Sequence, residues 1–395
     1  MNRRRFLGMI AAGTAYSFTW RVTAAEARKF PGGVDPQPLN AAKALRGVDP
    51  RARIQTKIPL IRKGPKPFFN FGKDGSFTFF QVSDVQERGP LHPRSRAIFD
   101  KACQIWHPQL VVMTGDNVDC AHSRLVFEST ILPIARMYTE NQVPFALTMG
   151  NHDTQFWGEG WYQGAEQWAL WSRAGGRYFV DYNESDLPGT GNGVINICAH
   201  GDLAGRQPKF NLYLLDSGDY GPHGGYDGVN TPQIRWVAER LKDRVPSLFF
   251  QHIPVYEMDL DNGKGIFTGA GKQRRLVAGH AVGLFKEPPC PQEKHDWPQT
   301  RYLADGKTLY QVWRDSGCMK GAYFGHDHTN TFDAVNDEGV RLGYCKSLTK
   351  NSYNDDNPGL RVFKIFENGT FFTDTVSERA PNGTGWFGHL SPRTV

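Results

Sequence analysis

The chain has 395 residues, 39% hydrophobic and 22% charged, a balance that suits a folded globular protein and excludes disordered, collagen-like and coiled-coil classes. The net charge is +6, and about half of it lies in the first 27 residues, where Arg3, Arg4, Arg5 and Arg21 face only Glu26. What remains is too little to indicate a nucleic-acid partner, and no internal run reaches the ~20 apolar residues that span a bilayer.

The N-terminus reads as an address. Arg3-Arg4-Arg5-Phe6-Leu7 resembles the twin-arginine (Tat) pattern. An apolar stretch to Trp20 follows, then small residues ending in Ala25-Glu26-Ala27, the layout of a cleaved secretory signal. Residues 1–27 are therefore expected to direct export through the Tat translocase to a periplasmic or secreted location. Residues 28–66, rich in Pro, Arg and Lys, read as a linker or surface wrap.

From Phe68 the apolar patterning becomes regular. Two apolar runs around Lys73-Asp74-Gly75 predict a hairpin. A strand at Phe77–Ser83, a helix at Arg94–Trp106, a strand at Leu110–Thr114, a helix at Ser123–Asn141 containing Pro133, and a strand at Phe145–Met149 follow. Strand–helix–strand units of this kind predict α/β layers with parallel pairing. The second half predicts a helix at Gln163–Ala174 and strands at Arg177–Tyr182, Val194–Cys198 and Asn211–Leu215. A helix at Thr231–Arg244 carries Pro232 in its first turn, a favoured place for proline. Strands at Leu248–His252, Gly321–Phe324, Val340–Cys345 and Leu360–Phe366 come next. Asn368-Gly369 then turns the chain into Thr370–Thr375. Residues 255–308 form a Gly/Pro/Lys-rich excursion of the length expected for a lid or insert. One domain over residues 67–380, with a tail at 381–395, accommodates all of this.

Six cysteines (Cys103, Cys120, Cys198, Cys290, Cys318 and Cys345) contain no C-x-x-C pair, which excludes a zinc ribbon or thioredoxin motif. Export permits disulfides, but the spacing names no pairing. Cys103 shares a helical apolar stripe with Phe99, Ala102 and Trp106 and reads as a buried free thiol.

The chemistry-bearing residues fall at strand ends. Apolar runs lead into Asp84-Val85-Gln86, Gly115-Asp116-Asn117-Val118-Asp119, Gly150-Asn151-His152-Asp153, His252-Ile253-Pro254 and Gly325-His326-Asp327-His328. Open α/β sheets place their sites at the carboxyl ends of strands. Carboxylate, amide and imidazole together suit a hard or borderline divalent ion.

In this order the five motifs resemble the signature of the calcineurin-like metallophosphoesterases over residues 77–330. Gln86 departs from the pattern, standing where the family usually has histidine. The phrases Leu212–Gly221 and Phe249–Glu257 resemble the branch containing plant and fungal purple-acid-phosphatase-like phosphoesterases. The resemblance implies a four-layer α/β/β/α sandwich of two mixed sheets flanked by helices. It further implies hydrolysis of a small-molecule phosphoester, monoester or diester, by a hydroxide shared between two divalent ions (Mn, Fe, Zn or Mg). Asp84, Gln86, Asp116 and His328 would hold the first ion. Asp116, Asn151, His252 and His326 would hold the second, with Asp116 as the bridge. His152 would protonate the leaving oxygen, and Asp119 would orient it. Asp119 stands where true purple acid phosphatases carry a tyrosine ligand, which argues against a tyrosinate-bound iron. Asn151, His152, Arg88 and His122 would face the substrate, and Asp153 would brace its loop. The remaining histidines read as surface or capping residues. Because an amide oxygen replaces an imidazole nitrogen at Gln86, a weakly active or inactive phosphoester-binding protein stands as the alternative.

Overall fold

A computed structural model describes residues 66–119, 124–154, 164–219, 226–255, 302–328, 330–331, 333–335, 338–349 and 357–383. The signal peptide, nearly all of the linker, Cys120, His122, Cys290, the body of the 255–308 excursion and most of the C-terminal tail lie outside the described residues.

The strands are β1 (Phe68–Asn70), β2 (Ser76–Val82), β3 (Leu110–Thr114), β4 (Phe145–Thr148), β5 (Gly193–Cys198), β6 (Pro208–Leu215), β7 (Ser247–Gln251), β8 (Met319–Phe324), β9 (Asp333–Val335), β10 (Arg341–Tyr344), β11 (Gly359–Phe366) and β12 (Phe371–Ser377). The helices are α1 (Pro93–Trp106), α2 (Arg124–Glu140), α3 (Gly164–Gly175), α4 (Thr231–Arg240) and α5 (Leu309–Ser316). Two mixed sheets form, ordered β1-β5-β6-β7-β8-β10-β9 and β12-β11-β2-β3-β4. Their centres are parallel: β2, β3 and β4 in the smaller sheet, and β6, β7, β8 and β10 in the larger.

Adjacent residues of a strand face opposite sides, and the aromatic side chains show how this builds four layers. Phe79 of β2 stacks on Phe363 of β11 at 4.8 Å and meets Phe250 of β7 edge-on at 5.8 Å, which joins the two sheets. Its neighbour Phe80 points the other way and meets Phe99 of α1 at 6.1 Å. Phe249, next to Phe250, packs outward on Trp313 of α5 at 5.1 Å. All six of these phenylalanines are fully buried, each contributing roughly 1.5–3 kcal/mol. Strands carrying apolar groups on both faces cannot lie at a solvated surface, so helices cover the outer faces and the α/β/β/α sandwich follows.

Three local expectations need correction. The turn at Gly72–Ser76 forms, with the Gly75 N–H donating to the Gly72 carbonyl at 2.9 Å. The expected hairpin does not. β1 pairs with β5, while β2 pairs with β11 and β3. The turn steps from one sheet to the other because β2, apolar on both faces, is drawn to a sheet interior. Residues 177–182 are not a strand. A 3₁₀ turn at Gly176–Tyr178 leads to a single bridge between Phe179 and Phe145. Phe179 and Tyr182 instead pack edge-on against Trp168 of α3 at 4.9 and 5.4 Å. Third, α5 was not anticipated. Its signal was present as a capping box, in which the Thr308 side chain accepts the Gln311 N–H and Gln311 returns the bond.

The predicted capping histidine is found at α1, where His92 Nδ1 accepts the Arg94 N–H at 3.1 Å. Pro133 lies inside α2 without ending it. Cys103 is a buried free thiol, as are Cys198, Cys318 and Cys345.

Candidate metal centre

The carboxyl ends of β2, β3, β4, β7 and β8 meet at one edge of the sandwich. Leu215 and Phe324 both pair with Gln251, and Thr114 pairs with Thr148, so the strands of each sheet end level. The chain then turns sharply. Asp84, Gln86, Asp116 and His326 all have left-handed backbones, with φ of 51°, 40°, 48° and 75°. Non-glycine residues adopt this region rarely, and they do so mainly where surrounding contacts hold them. Here the Asp84 N–H donates to the Gly115 carbonyl at 3.1 Å and the Gln86 N–H to the Asp116 carbonyl at 3.0 Å.

Motif glycines admit this crowding. A Cβ at Gly150 would lie 2.3 Å from Asp116 Oδ1, and one at Gly325 would lie 2.0 Å from Ser83 Oγ. Only a residue without a side chain fits at either position.

Two groups of electron-pair donors result: Asp116, His252 and His326, and Asp84, Asp116 and His328, all buried. Asp116 belongs to both. Its Oδ2 lies 3.2 Å from His252 Nε2, and Asp84 Oδ1 lies 3.2 Å from His328 Nε2. His252 Nε2 is also 3.1 Å from Asn151 Oδ1 and 3.2 Å from His326 Nδ1. His252 Nδ1 sits 2.9 Å from the Thr114 carbonyl, which can only accept. Nδ1 therefore carries the hydrogen, and in the neutral ring Nε2 presents its lone pair to the cluster. Buried acceptors converging on acceptors are unfavourable unless a cation lies among them. The donor set, oxygen and imidazole without thiolate, fits divalent ions such as Mn, Fe, Zn or Mg.

The electrostatics favour positive charge inside the cluster. Burial alone would raise the Asp116 carboxyl, but the imidazoles of His252 and His152 outweigh it and hold the group well below the usual carboxylate range. Burial would lower His252, yet Asp116 raises it to about 9, so without a cation in the cluster Nε2 holds a proton that an ion would displace on binding. Burial, then the charge of His252, pushes His326 well below the usual histidine range, so its ring is neutral, as a ligand must be.

His152 stands beside this cluster, with Nε2 3.9 Å from Asp116 Oδ2 and Nδ1 3.6 Å from Asp119 Oδ1. It is partly exposed, unlike the buried donors. Arg88 donates from Nε to Asp119 Oδ2 at 2.6 Å, so this candidate substrate residue lies against the carboxylate that faces His152. His122, the other candidate, lies outside the described residues. Asp153 braces two loops, accepting the backbone N–H groups of Asn117, Val118 and Gly150 at 2.9, 3.1 and 2.9 Å. Asp327 is buried and accepts from Asn330 Nδ2 at 3.1 Å.

Gln86 lies beside the shared carboxylate. Its side-chain Nε2 donates to Asp116 Oδ2 at 2.9 Å, so an N–H group rather than the amide oxygen faces the shared carboxylate. Two further contributors were not anticipated. The Thr114 carbonyl fixes the His252 tautomer, and the Tyr226 ring stands edge-on to His326 at 4.3 Å. A main-chain carbonyl carries no residue signal, and Tyr226 follows no apolar strand.

The chain is 23% identical over 316 residues to an Arabidopsis thaliana protein named probable inactive purple acid phosphatase 28, covering 69% of this chain and 70% of that one. It is 24% identical over 283 residues to Phosphatase DCR2 of Saccharomyces cerevisiae, covering 66% of this chain but only 45% of the yeast protein. Among solved structures, a dimetal phosphatase from Danio rerio aligns with a TM-score of 0.44 at 15% identity, covering 75% of this chain and 98% of that one. The family model for calcineurin-like phosphoesterases matches residues 77–330, the span from β2 to just beyond His328, and the chain belongs to that family.

Proposed function

We propose that the protein hydrolyses phosphate esters at a centre of two divalent ions held by Asp84, Asp116, Asn151, His252, His326 and His328. The observation that carries this reading is the sharing of Asp116 between two buried donor groups, since one carboxylate can give an oxygen to each of two ions. When bound, such ions supply an acidified water and neutralise charge on the phosphoryl oxygens. The chain's own residues do the rest. His152, partly exposed beside Asp116, donates a proton to the departing oxygen. Asp119, 3.6 Å from His152 Nδ1, orients the ring and balances its charge. Burial of the donor groups excludes competing water.

Exhaustive chelation of the full chain should abolish hydrolysis of p-nitrophenyl phosphate and of its bis ester, and added Mn²⁺ should restore it. Activity that survives metal-free dialysis would end this reading. The residues also support a second one, a phosphoester-binding protein without turnover. Gln86 replaces an imidazole, and the Arabidopsis relative bears the name probable inactive. Full ion occupancy with neither ester hydrolysed would favour it.

The Arg3-Arg4 pair supports export through the Tat translocase. Replacing both arginines with lysine should retain the precursor in the cytoplasm, and unchanged export would exclude that route.

A further inference from the structure

The two donor groups are not equivalent, and the difference lies at Gln86. The group around Asp116, His252 and His326 has a fourth protein donor, because Asn151 Oδ1 stands 3.1 Å from His252 Nε2. The group around Asp84, Asp116 and His328 has only Gln86 in the corresponding place. There the amide nitrogen, 2.9 Å from Asp116 Oδ2, directs an N–H group at the shared oxygen. The main chain reinforces the observed arrangement. The Gln86 backbone N–H donates to the Asp116 carbonyl at 3.0 Å, and Gln86 is held at φ 40° in a buried turn. With the His152 N–H on Oδ1 at 2.8 Å, each oxygen of Asp116 receives one fixed N–H group.

We infer that Gln86 is a positioning residue that locks the bridging carboxylate and does not ligate, leaving the Asp84–Asp116–His328 corner as a weaker ion site. This rests on the two-ion reading above and deepens it. The corner retains three protein donors against four, and one lone pair of its bridging carboxylate is already engaged by the Gln86 N–H group. The chain then holds one ion firmly and takes up the other according to the divalent ion available. Occupancy, and with it turnover, becomes a function of the surrounding metal concentration.

The test is a calorimetric titration of the metal-stripped full chain with Mn²⁺, with bound ions counted by elemental analysis. Two binding steps are expected, separated by at least about tenfold in affinity, the scale on which groups supporting metal ligands act. His326→Ala should remove the tight step and His328→Ala the weak one. Gln86→Leu should weaken both steps by a similar factor, because Asp116 serves both ions. Gln86→His should bring the two affinities together by giving the weak corner a nitrogen donor. Two equal steps in the unaltered chain would overturn the inference, and that measurement needs no variant to fold. A Gln86→Leu loss confined to the weak step would also overturn it, since it would make the amide a ligand. An unaltered chain that binds no ion would remove the two-ion reading itself, an outcome distinct from both.

Discussion

Two buried polar corners of this molecule solve the problem of buried charge in opposite ways. At the metal centre, carboxylates, amide and imidazoles of five strand ends converge on one another. At the other corner, Asp333 of β9 receives Arg341 through a two-pronged contact at 2.8 Å per arm. Arg361 of β11 lies 3.7 Å from the same carboxylate. Arg361 also donates to the Tyr344 and Thr331 carbonyls at 2.9 and 2.8 Å, tying β11 of the smaller sheet to segments around β10 and β9 of the larger one. Burial opposes ionisation of Asp333, but Arg341 and Arg361 outweigh it, and its carboxyl lies below the usual range. Here the protein supplies its own cations and the corner is structural. In the metal centre the two donor groups hold carboxylates and imidazoles, Asp116, His252 and His326 and then Asp84, Asp116 and His328, a set suited to a divalent ion supplied from outside. A buried cluster is therefore read by what completes it, not by how many charged residues it contains.

That contrast can be broken by separating activity from stability. His152→Ala should lower turnover by about 10²–10⁴, the usual contribution of a positioned general acid. Ion content and melting temperature should hardly change, because His152 belongs to neither donor group. The loss should shrink for esters with good leaving groups. Loss of an ion in this variant would show that His152 is a ligand.

Asp333→Ala should do the reverse. It leaves the buried Arg361 and the partly buried Arg341 without their shared carboxylate, at a cost of about 3–5 kcal/mol. Denaturant unfolding should report that loss, while the fraction that remains folded keeps its ions. A stability change below 1 kcal/mol, the range of exposed ion pairs, would mean that the arginines find other partners.

A third buried carboxylate sharpens the comparison because it has neither solution. Asp216 accepts the backbone N–H groups of Thr190 and Gly218 at 2.7 and 2.9 Å. Burial, aided by Asp219 and Asp227, nevertheless raises it to about 6. A carboxyl raised in the folded state favours folding below its unfolded pKa, and that advantage is lost as pH climbs through the folded value. Between pH 4 and 6, Asp216 should thus withdraw about 3 kcal/mol, taking ~1.4 kcal/mol per pH unit. Asp216→Asn should remove this component from the stability–pH curve. Identical curves for the two proteins would show that Asp216 ionises at its ordinary pKa.

Much of the fold was legible because its central strands are apolar on both faces. Runs such as those of β2, β3 and β7 have few alternatives to a covered sheet, and the polar residues that end them mark the site edge. The hairpin and the 177–182 strand were misread because local alternation says nothing about which sheet, or which helix, receives the side chains. The Arg341–Asp333–Arg361 corner left no trace in the sequence, since its members come from three strands and pair only after both sheets are in place.

By itself the sequence determined the strand-end motifs, the family they resemble and the residues that gather at the edge of the sheets. Those features are local: an apolar run, a glycine that permits close approach, then a donor. Only the tertiary structure decided how the donors divide. Asp116 belongs to both groups because β3 lies between β2 and β4 in one sheet and faces β7 of the other. His252 presents Nε2 because the Thr114 carbonyl occupies Nδ1. Gln86 turns an N–H group toward Asp116 because a carboxylate oxygen, an acceptor from another strand, waits opposite. A residue's type sets what it can donate or accept, and only its neighbours in space select which it does.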